Sequence, residues 1–281
     1  MAASSIAMAA IREMTLLASL LDAAFLGVLE ALTEFLPVSS TGHLILLTDL
    51  MGFQGPPGRV FEVVIQLGAI LAVCVVYASR LTDVAFGLPH DPGARRFVLV
   101  IALAFLPALV LGALLHEFIK SVLFSPQVVS VALVVGGIAI LAIERLRPVP
   151  QIRAVEEFSP RLALGIGLAQ CLAMVPGVSR SGATIMGALL LGVERKTAAE
   201  FSFFLAIPTM LGAAVFDLWQ NRATLDAEGG LVIAVGFLAA FAVALFVVRW
   251  FVEFVGRHGF APFAWYRIGL GGMLLLALNL D

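Results

Sequence analysis

Apolar residues along the chain run in long unbroken stretches, without the polar face that marks a half-buried helix. Charge-free runs close to the ~20 residues needed to cross a bilayer cover 63–79, 97–115, 127–143, 201–216 and 230–248. A sixth, 262–280, is interrupted only by Arg267 near its start. Segments carrying Gly, Pro and charge separate them, at 80–96, 116–126, 144–161, 219–229 and 249–259. The pattern predicts six transmembrane helices.

Two further apolar regions are broken in the middle. In 14–49 the break is Pro37 followed by Ser39-Ser40-Thr41-Gly42. In 161–193 it is Pro176-Gly177 followed by Ser179-Arg180-Ser181-Gly182. Pro and Gly stop helices, and Ser or Thr start new ones. Broken helices at membrane depth survive only where protein or a wet cavity satisfies the freed backbone. Both regions are therefore expected to be re-entrant helical hairpins.

The halves repeat. Gly27-Val28-Leu29-Glu30-Ala31-Leu32 aligns with Gly167-Leu168-Ala169-Gln170-Cys171-Leu172 at an offset of 140 residues. At that offset Val38-Ser39 meets Val178-Ser179, and Gly42 meets Gly182. Each half holds one broken hairpin and three spans. Three is odd, so the second half enters the membrane from the opposite side. The expected architecture is an all-α integral membrane fold in one domain, 1–281, with inverted repeats at 14–146 and 161–280. Such folds build substrate sites at the repeat interface from discontinuous helices.

Composition agrees. The chain is 61% hydrophobic and 13% charged, with a mean hydropathy of +1.07, against about 45–50% and about 25% for soluble proteins. That excludes soluble enzymes and disordered scaffolds, and the net charge of −2 gives no global field for nucleic acid. Cys74 and Cys171 lie in apolar runs without metal spacing. The first ten residues lack the positive start of a signal peptide. Loop cations orient the spans. One side collects Arg80, Arg95, Arg96, Arg145, Arg147, Arg153, Arg161, Arg195, Lys196, Arg249 and Arg257, and the other Arg12, Arg59, Lys120 and Arg222. The first side is expected to be cytoplasmic, with both termini outside.

Ionisable residues inside membrane segments are functional hypotheses by default. Glu30 and Glu34, four apart, share one helical face. Two acids in low dielectric repel unless a cation joins them, and a hard divalent ion such as Mg²⁺ or Ca²⁺ suits carboxylates plus phosphate oxygens. Ser39, Ser40 and Thr41 offer hydroxyls and free N–H groups at a helix start, a ready anion site. His43 falls in the first turn of that helix, facing whatever binds there. Arg180 stands mid-hairpin, flanked by Ser179, Ser181 and Thr184, and its fork matches phosphate. Two carboxylates, one Arg and a diphosphate do not balance without a metal or protons. Such a site suits cleavage of a lipid-anchored diphosphate.

The run from Glu30 to His43, and Pro176-Gly177-Val178-Ser179-Arg180-Ser181-Gly182-Ala183-Thr184, resemble the signature regions of the bacterial undecaprenyl-diphosphate phosphatase family, the bacitracin-resistance type. The likeness extends over the whole chain, including 62–69 and Glu200-Phe201-Ser202-Phe203. It implies an enzyme of the bacterial inner membrane that removes the terminal phosphate of undecaprenyl diphosphate, yielding the lipid monophosphate carrier for cell-wall precursors. It implies Glu30 and Glu34 at the metal and diphosphate, and Ser40, Thr41 and His43 at the reaction centre. Ser179, Arg180, Ser181 and Thr184 would clamp phosphate, with Ser39 beside them, in a cavity open to the outer face. Attack by Ser40 aided by His43, by His43 itself or by metal-bound water stays open. So do the metal's identity and the oligomeric state, a homodimer included. The rival is a transporter or flippase of a lipid phosphate or small anion, which shares the expected architecture but has no need of paired carboxylates.

Overall fold

The computed structural model describes residues 2–53, 60–118, 125–221 and 227–280. They form α1 (Ala2–Glu34), α2 (Ser40–Met51), α3 (Val60–Val76), α4 (Ala78–Gly87), α5 (Pro92–Phe118) and α6 (Pro126–Leu146). After these come α7 (Pro160–Gln170), α8 (Arg180–Leu190), α9 (Arg195–Asn221), α10 (Ala227–His258) and α11 (Ala261–Ala277). Five segments are long and apolar enough to cross a membrane: Glu13–Glu34, Pro92–Leu115, Pro126–Leu146, Arg195–Val215 and Gly229–His258. Counted as one span, the pair α3 and α4, bent by 74°, would bring the number to six. The chain is a multi-pass, all-α membrane protein.

The six differ in membership from those the sequence predicts. The first limb of the 14–49 region is a helix of 22 residues, long and apolar enough to count among the candidate spans, since no proline interrupts it before Pro37. Conversely α11 has 17 residues and falls just short. Part of the expected loop 80–96 is α4, whose apolar Leu81 and Phe86 alternate with Arg80 and Asp83 as in a helix lying at the interface. After it Asp91 opens α5. Its carboxylate accepts from the N–H groups of Gly93 and Ala94 (2.9 and 3.0 Å), which hold its pKa below the usual carboxylate range. His116 and His258 lie in helices α5 and α10, not in loops.

Polarity is reversed relative to a soluble protein. Leu17, Val135, Leu238 and Phe246 are exposed, whereas Glu30, Ser181, Ser202 and Arg267 are buried. Lipid takes the place of water around the outside, so apolar side chains need no cover. One buried core joins both halves, running through Phe35, Ala69, Phe97, Phe158, Ile185, Phe203 and Phe251.

Helix pairings come in matched sets. α1 packs on α10 as α7 packs on α5; α3 packs on α10 as α9 packs on α5; α3 meets α9 and α6 meets α11. Close backbone approach makes the first of these work. A Cβ on Gly27 would stand 2.2 Å from the Gly236 carbonyl oxygen, and one on Gly167 would stand 2.4 Å from that of Ala104. Small residues are the usual means of bringing membrane helices together. Because the clash is with backbone, Gly167→Val is expected to cost about 1–3 kcal/mol. A lowered melting temperature in detergent would register this. Gly230→Ala should leave that temperature unchanged, since nothing lies within 4 Å of the added methyl.

The cationic loops meet at one end. Arg80 pairs with Glu156, Arg96 donates to the Phe158 carbonyl, and Arg195 pairs with Glu144 at 2.9 Å. Thr197 donates to the Arg153 carbonyl, and Gly192 accepts from Gln151 and Ile152. On the opposite side, Arg59, Lys120 and Arg222 lie outside the described residues, as does the side chain of Arg12.

Candidate active site

The two helix breaks lie side by side in the interior. At the first, α1 ends at Glu34, and the chain passes through Pro37 to Ser39, whose φ of 73° is left-handed, before α2 starts at Ser40. At the second, α7 runs through a 3-10 turn (Cys171–Met174) to Pro176-Gly177. Ser179 then takes a φ of 75° before α8 starts at Arg180. These serines are the two non-glycine residues with positive φ among the described residues. Ser181 Oγ donates to the Leu36 carbonyl (2.8 Å), joining one break to the other.

Between the breaks lies a cavity of 860 Å³, within the usual size range for a small-molecule site. Its polar wall includes Glu34, Ser39, Ser40, Thr41, Ser179 and Arg180, with Gln66, Gln170 and Thr209 beside them. Its apolar wall comes from the second halves of α5 and α9, through Leu109, Gly112, Ala113, Met210, Gly212 and Ala213. Pro107 and Pro208 sit inside these same helices, each removing one backbone hydrogen bond beside the cavity.

Glu34 is the hub. One carboxylate oxygen receives Arg180 Nη2 at 3.1 Å, and the other receives the Ser40 hydroxyl at 2.5 Å. Glu34 is 6% exposed, so this ion pair is shielded from screening. Arg180 also donates from Nη1 to the Ser202 carbonyl (2.8 Å), while its Nε–H has no partner. Thr184 donates to the carbonyls of Arg180 and Ser181, and its hydroxyl lies 2.7 Å from that of Ser202. Phe201 and Phe203, on either side of Ser202, are fully buried, and Phe203 packs edge-on to Phe35 at 5.2 Å. Ser179 Oγ caps α8 by accepting from Gly182 N (3.1 Å) and lies 3.0 Å from Ser181 Oγ.

The residues singled out by sequence thus take different positions. Glu34, Ser39, Ser40, Thr41, Ser179 and Arg180 reach the cavity. Ser181 and Thr184 instead bond to backbone within the breaks. His43, expected to face a bound ligand, is not among the residues that line the cavity. Its Nδ1 lies 2.8 Å from the Ser39 carbonyl and its Nε2 lies 2.6 Å from the Tyr266 hydroxyl, with the two rings parallel at 5.6 Å. No hydrogen bond joins His43 to Ser40; that role belongs to Glu34. Glu30 is fully buried behind Glu34, within electrostatic reach of Glu34, Arg180 and Glu62. Apart from the neighbouring Glu34 carboxylate, neither of its oxygens has a hydrogen-bond partner among the described residues. Gln170, its counterpart in the repeat, is buried with its amide equally unpartnered.

No cluster of three His, Cys, Asp or Glu side chains converges as a metal site among the described residues. The oxygen donors present are the Glu30 and Glu34 carboxylates and the Ser40 hydroxyl. Oxygen-only donors, two of them anionic, suit a hard divalent cation that keeps positions for phosphate and water. The two orphaned oxygens of Glu30 fit such an ion, because an unpaired buried carboxylate is otherwise costly.

Sequence reasoning missed Arg267, Tyr266 and Ser202. Arg267 is 1% exposed and donates to five carbonyls, those of Pro37, Gly177, Val178, Ala132 and Leu133. Its signal was present, a lone cation in an apolar run, the same feature that marked Arg180.

Ser181→Ala removes the donor to Leu36 but leaves every cavity-lining group in place. It is expected to reduce turnover less than 10-fold while costing about 1 kcal/mol of stability. Parallel measurements of turnover and melting temperature check both.

A family model described as bacitracin resistance protein BacA matches residues 23–273. The chain is 58% identical over 259 residues to undecaprenyl-diphosphatase 2 of Paramagnetospirillum magneticum, covering 92% of this chain and 99% of that protein. It is 59% identical over 261 residues to undecaprenyl-diphosphatase of Parvibaculum lavamentivorans, covering 93% and 97%. To undecaprenyl-diphosphatase 1 of Agrobacterium fabrum it is 54% identical over 261 residues.

Proposed function

Because the chain belongs to the bacitracin resistance protein BacA family, we propose that it is a hydrolase that removes the terminal phosphate of undecaprenyl diphosphate. The product is the lipid monophosphate used in peptidoglycan synthesis, and bacitracin resistance follows from regenerating it. The observation that carries this is the Ser40–Glu34–Arg180 chain, which places a hydroxyl, a base and a phosphate-binding cation on one cavity wall.

Ser40 Oγ attacks the terminal phosphorus and Glu34, 2.5 Å away, takes its proton. The new Oγ–P bond replaces the bond from phosphorus to the bridging oxygen, and the prenyl monophosphate leaves. Water then releases phosphate from Ser40. Arg180, which lines the cavity, and the N–H groups at the start of α8 hold the phosphate oxygens as charge builds. His43 is not assigned the attack, since both its ring nitrogens are engaged and it lies outside the cavity lining. Glu30 and Glu34 would hold a Mg²⁺ or Ca²⁺ ion, which supplies Lewis-acid withdrawal of charge from the diphosphate.

Orientation in the bacterial inner membrane follows from the loops. The cationic end joins the starts of α5 and α9, and the cavity is lined by their far halves. By the positive-inside rule the cavity opens to the outer side and the termini lie outside. The matched helix pairings support an inverted repeat, with the site at its interface.

Metal removal tests the cofactor. Purified protein in detergent should release phosphate from a prenyl diphosphate, lose more than 90% of that rate in EDTA (about the tenfold that a metal-assisted step implies), and regain it with Mg²⁺ or Ca²⁺. Full activity in EDTA would remove the metal from this account.

A further inference from the structure

One charged side chain plays no part in the chemistry above. Arg267, on α11, is 1% exposed and its five N–H groups all go to backbone carbonyls. Nε donates to Leu133 (3.3 Å), Nη1 to Pro37 (3.0 Å) and Val178 (2.9 Å), and Nη2 to Ala132 (3.0 Å) and Gly177 (2.9 Å). A guanidinium has five donors, so every one is used. Three of the acceptors are carbonyls at the helix breaks, freed there from helical partners and needing satisfaction inside the membrane. A single nitrogen, Nη1, ties the first break to the second.

Ser39, two residues after Pro37, and Ser179, directly after Val178, are held at φ 73° and 75°. Serine rarely adopts that conformation and keeps it only where the surroundings over-determine it. The same two residues set the starts of α2 and α8, and with them Ser40 and Arg180. Room for the guanidinium comes from α6, where a Cβ on Gly136 would stand 2.0 Å from Nη2. The neighbouring Tyr266 holds His43 from the same turn of α11.

We propose that Arg267 is a positioning residue that locks both helix breaks into the strained backbone on which Ser40 and Arg180 are presented. It acts through the carbonyls of Pro37, Gly177 and Val178 and touches no substrate. Only the turnover readout of the proposal rests on the phosphatase function.

Arg267→Lys keeps the charge but replaces a rigid fork of five donors with three on one flexible ammonium, so at least two of the five carbonyls lose their donor. Hydrogen exchange of the ligand-free protein should quicken at amides 38–43 and 178–183 together, with the rest of the helices unchanged. Turnover should fall about 100-fold in kcat, the order expected for a misplacement near 1 Å, with KM altered less than about 3-fold. Ser39→Gly in the Lys background should restore part of kcat, because glycine takes positive φ without strain. Gly136→Ala removes no donor and only crowds Nη2, so it should give the same exchange pattern at smaller amplitude. Unchanged exchange at the breaks, uniform quickening throughout the molecule, or a loss that Ser39→Gly leaves untouched would each overturn the proposal. Quickening confined to the breaks in Arg267→Lys, together with a wild type that releases no phosphate, would uphold the clamp and refute the phosphatase.

Discussion

Arg180→Ala is expected to abolish phosphate release, lowering kcat by at least about 10³-fold, the scale of removing one preorganised donor to a developing charge. The side chain does two things at once. Its Nη2 neutralises Glu34, and it lines the cavity that a phosphate would enter. Without it, Glu30 and Glu34 lie in the interior with no cation from the second break, and a diphosphate would add negative charge to them. Affinity should therefore fall along with kcat. Arg180→Lys should recover only a small part, because an ammonium cannot hold Glu34, the Ser202 carbonyl and phosphate together. Phosphate release by monodisperse protein, with a melting curve beside it, separates this loss from unfolding.

Glu34→Gln is the second large effect. The amide keeps the shape but loses the base that receives the Ser40 proton and the charge that holds Arg180. General-base loss alone is worth about 10²–10⁴ in rate. Stimulation by added Mg²⁺ or Ca²⁺ should weaken in parallel, since one of two anionic donors is gone. The effects are distinguishable by titrating metal at saturating lipid. Turnover within 3-fold of wild type would mean that Glu34 is not the base, whatever its position.

Much of this was legible in the sequence because charge and helix-breaking residues are rare in apolar runs. Pro37, Pro176-Gly177 and the Ser clusters marked the breaks, and Glu34 and Arg180 stood out as ionisable groups at membrane depth. Serine at positive φ was not legible, since left-handed backbone is expected at glycine and no local feature of Ser39 or Ser179 announces it. The bend at Tyr77 was hidden for a similar reason: no Pro or Gly marks it, and the charge-free run continues past it to Ser79. Arg267 stood near the start of its run, where a cation at the membrane surface is unremarkable. Only the fold brings it beneath both breaks. His43 shows the opposite limit. Its place in the first turn of α2 suggested a ligand-facing ring, but sequence spacing says nothing of Tyr266 lying across from it.

The most direct measurement is phosphate release from a prenyl diphosphate by purified wild-type protein and by Arg180→Ala, at equal folded concentration with Mg²⁺ present. Steady release of one phosphate per lipid is expected from the wild type, and none above background from the variant. Equal release by both proteins, or lipid binding by the wild type without any release, would contradict it.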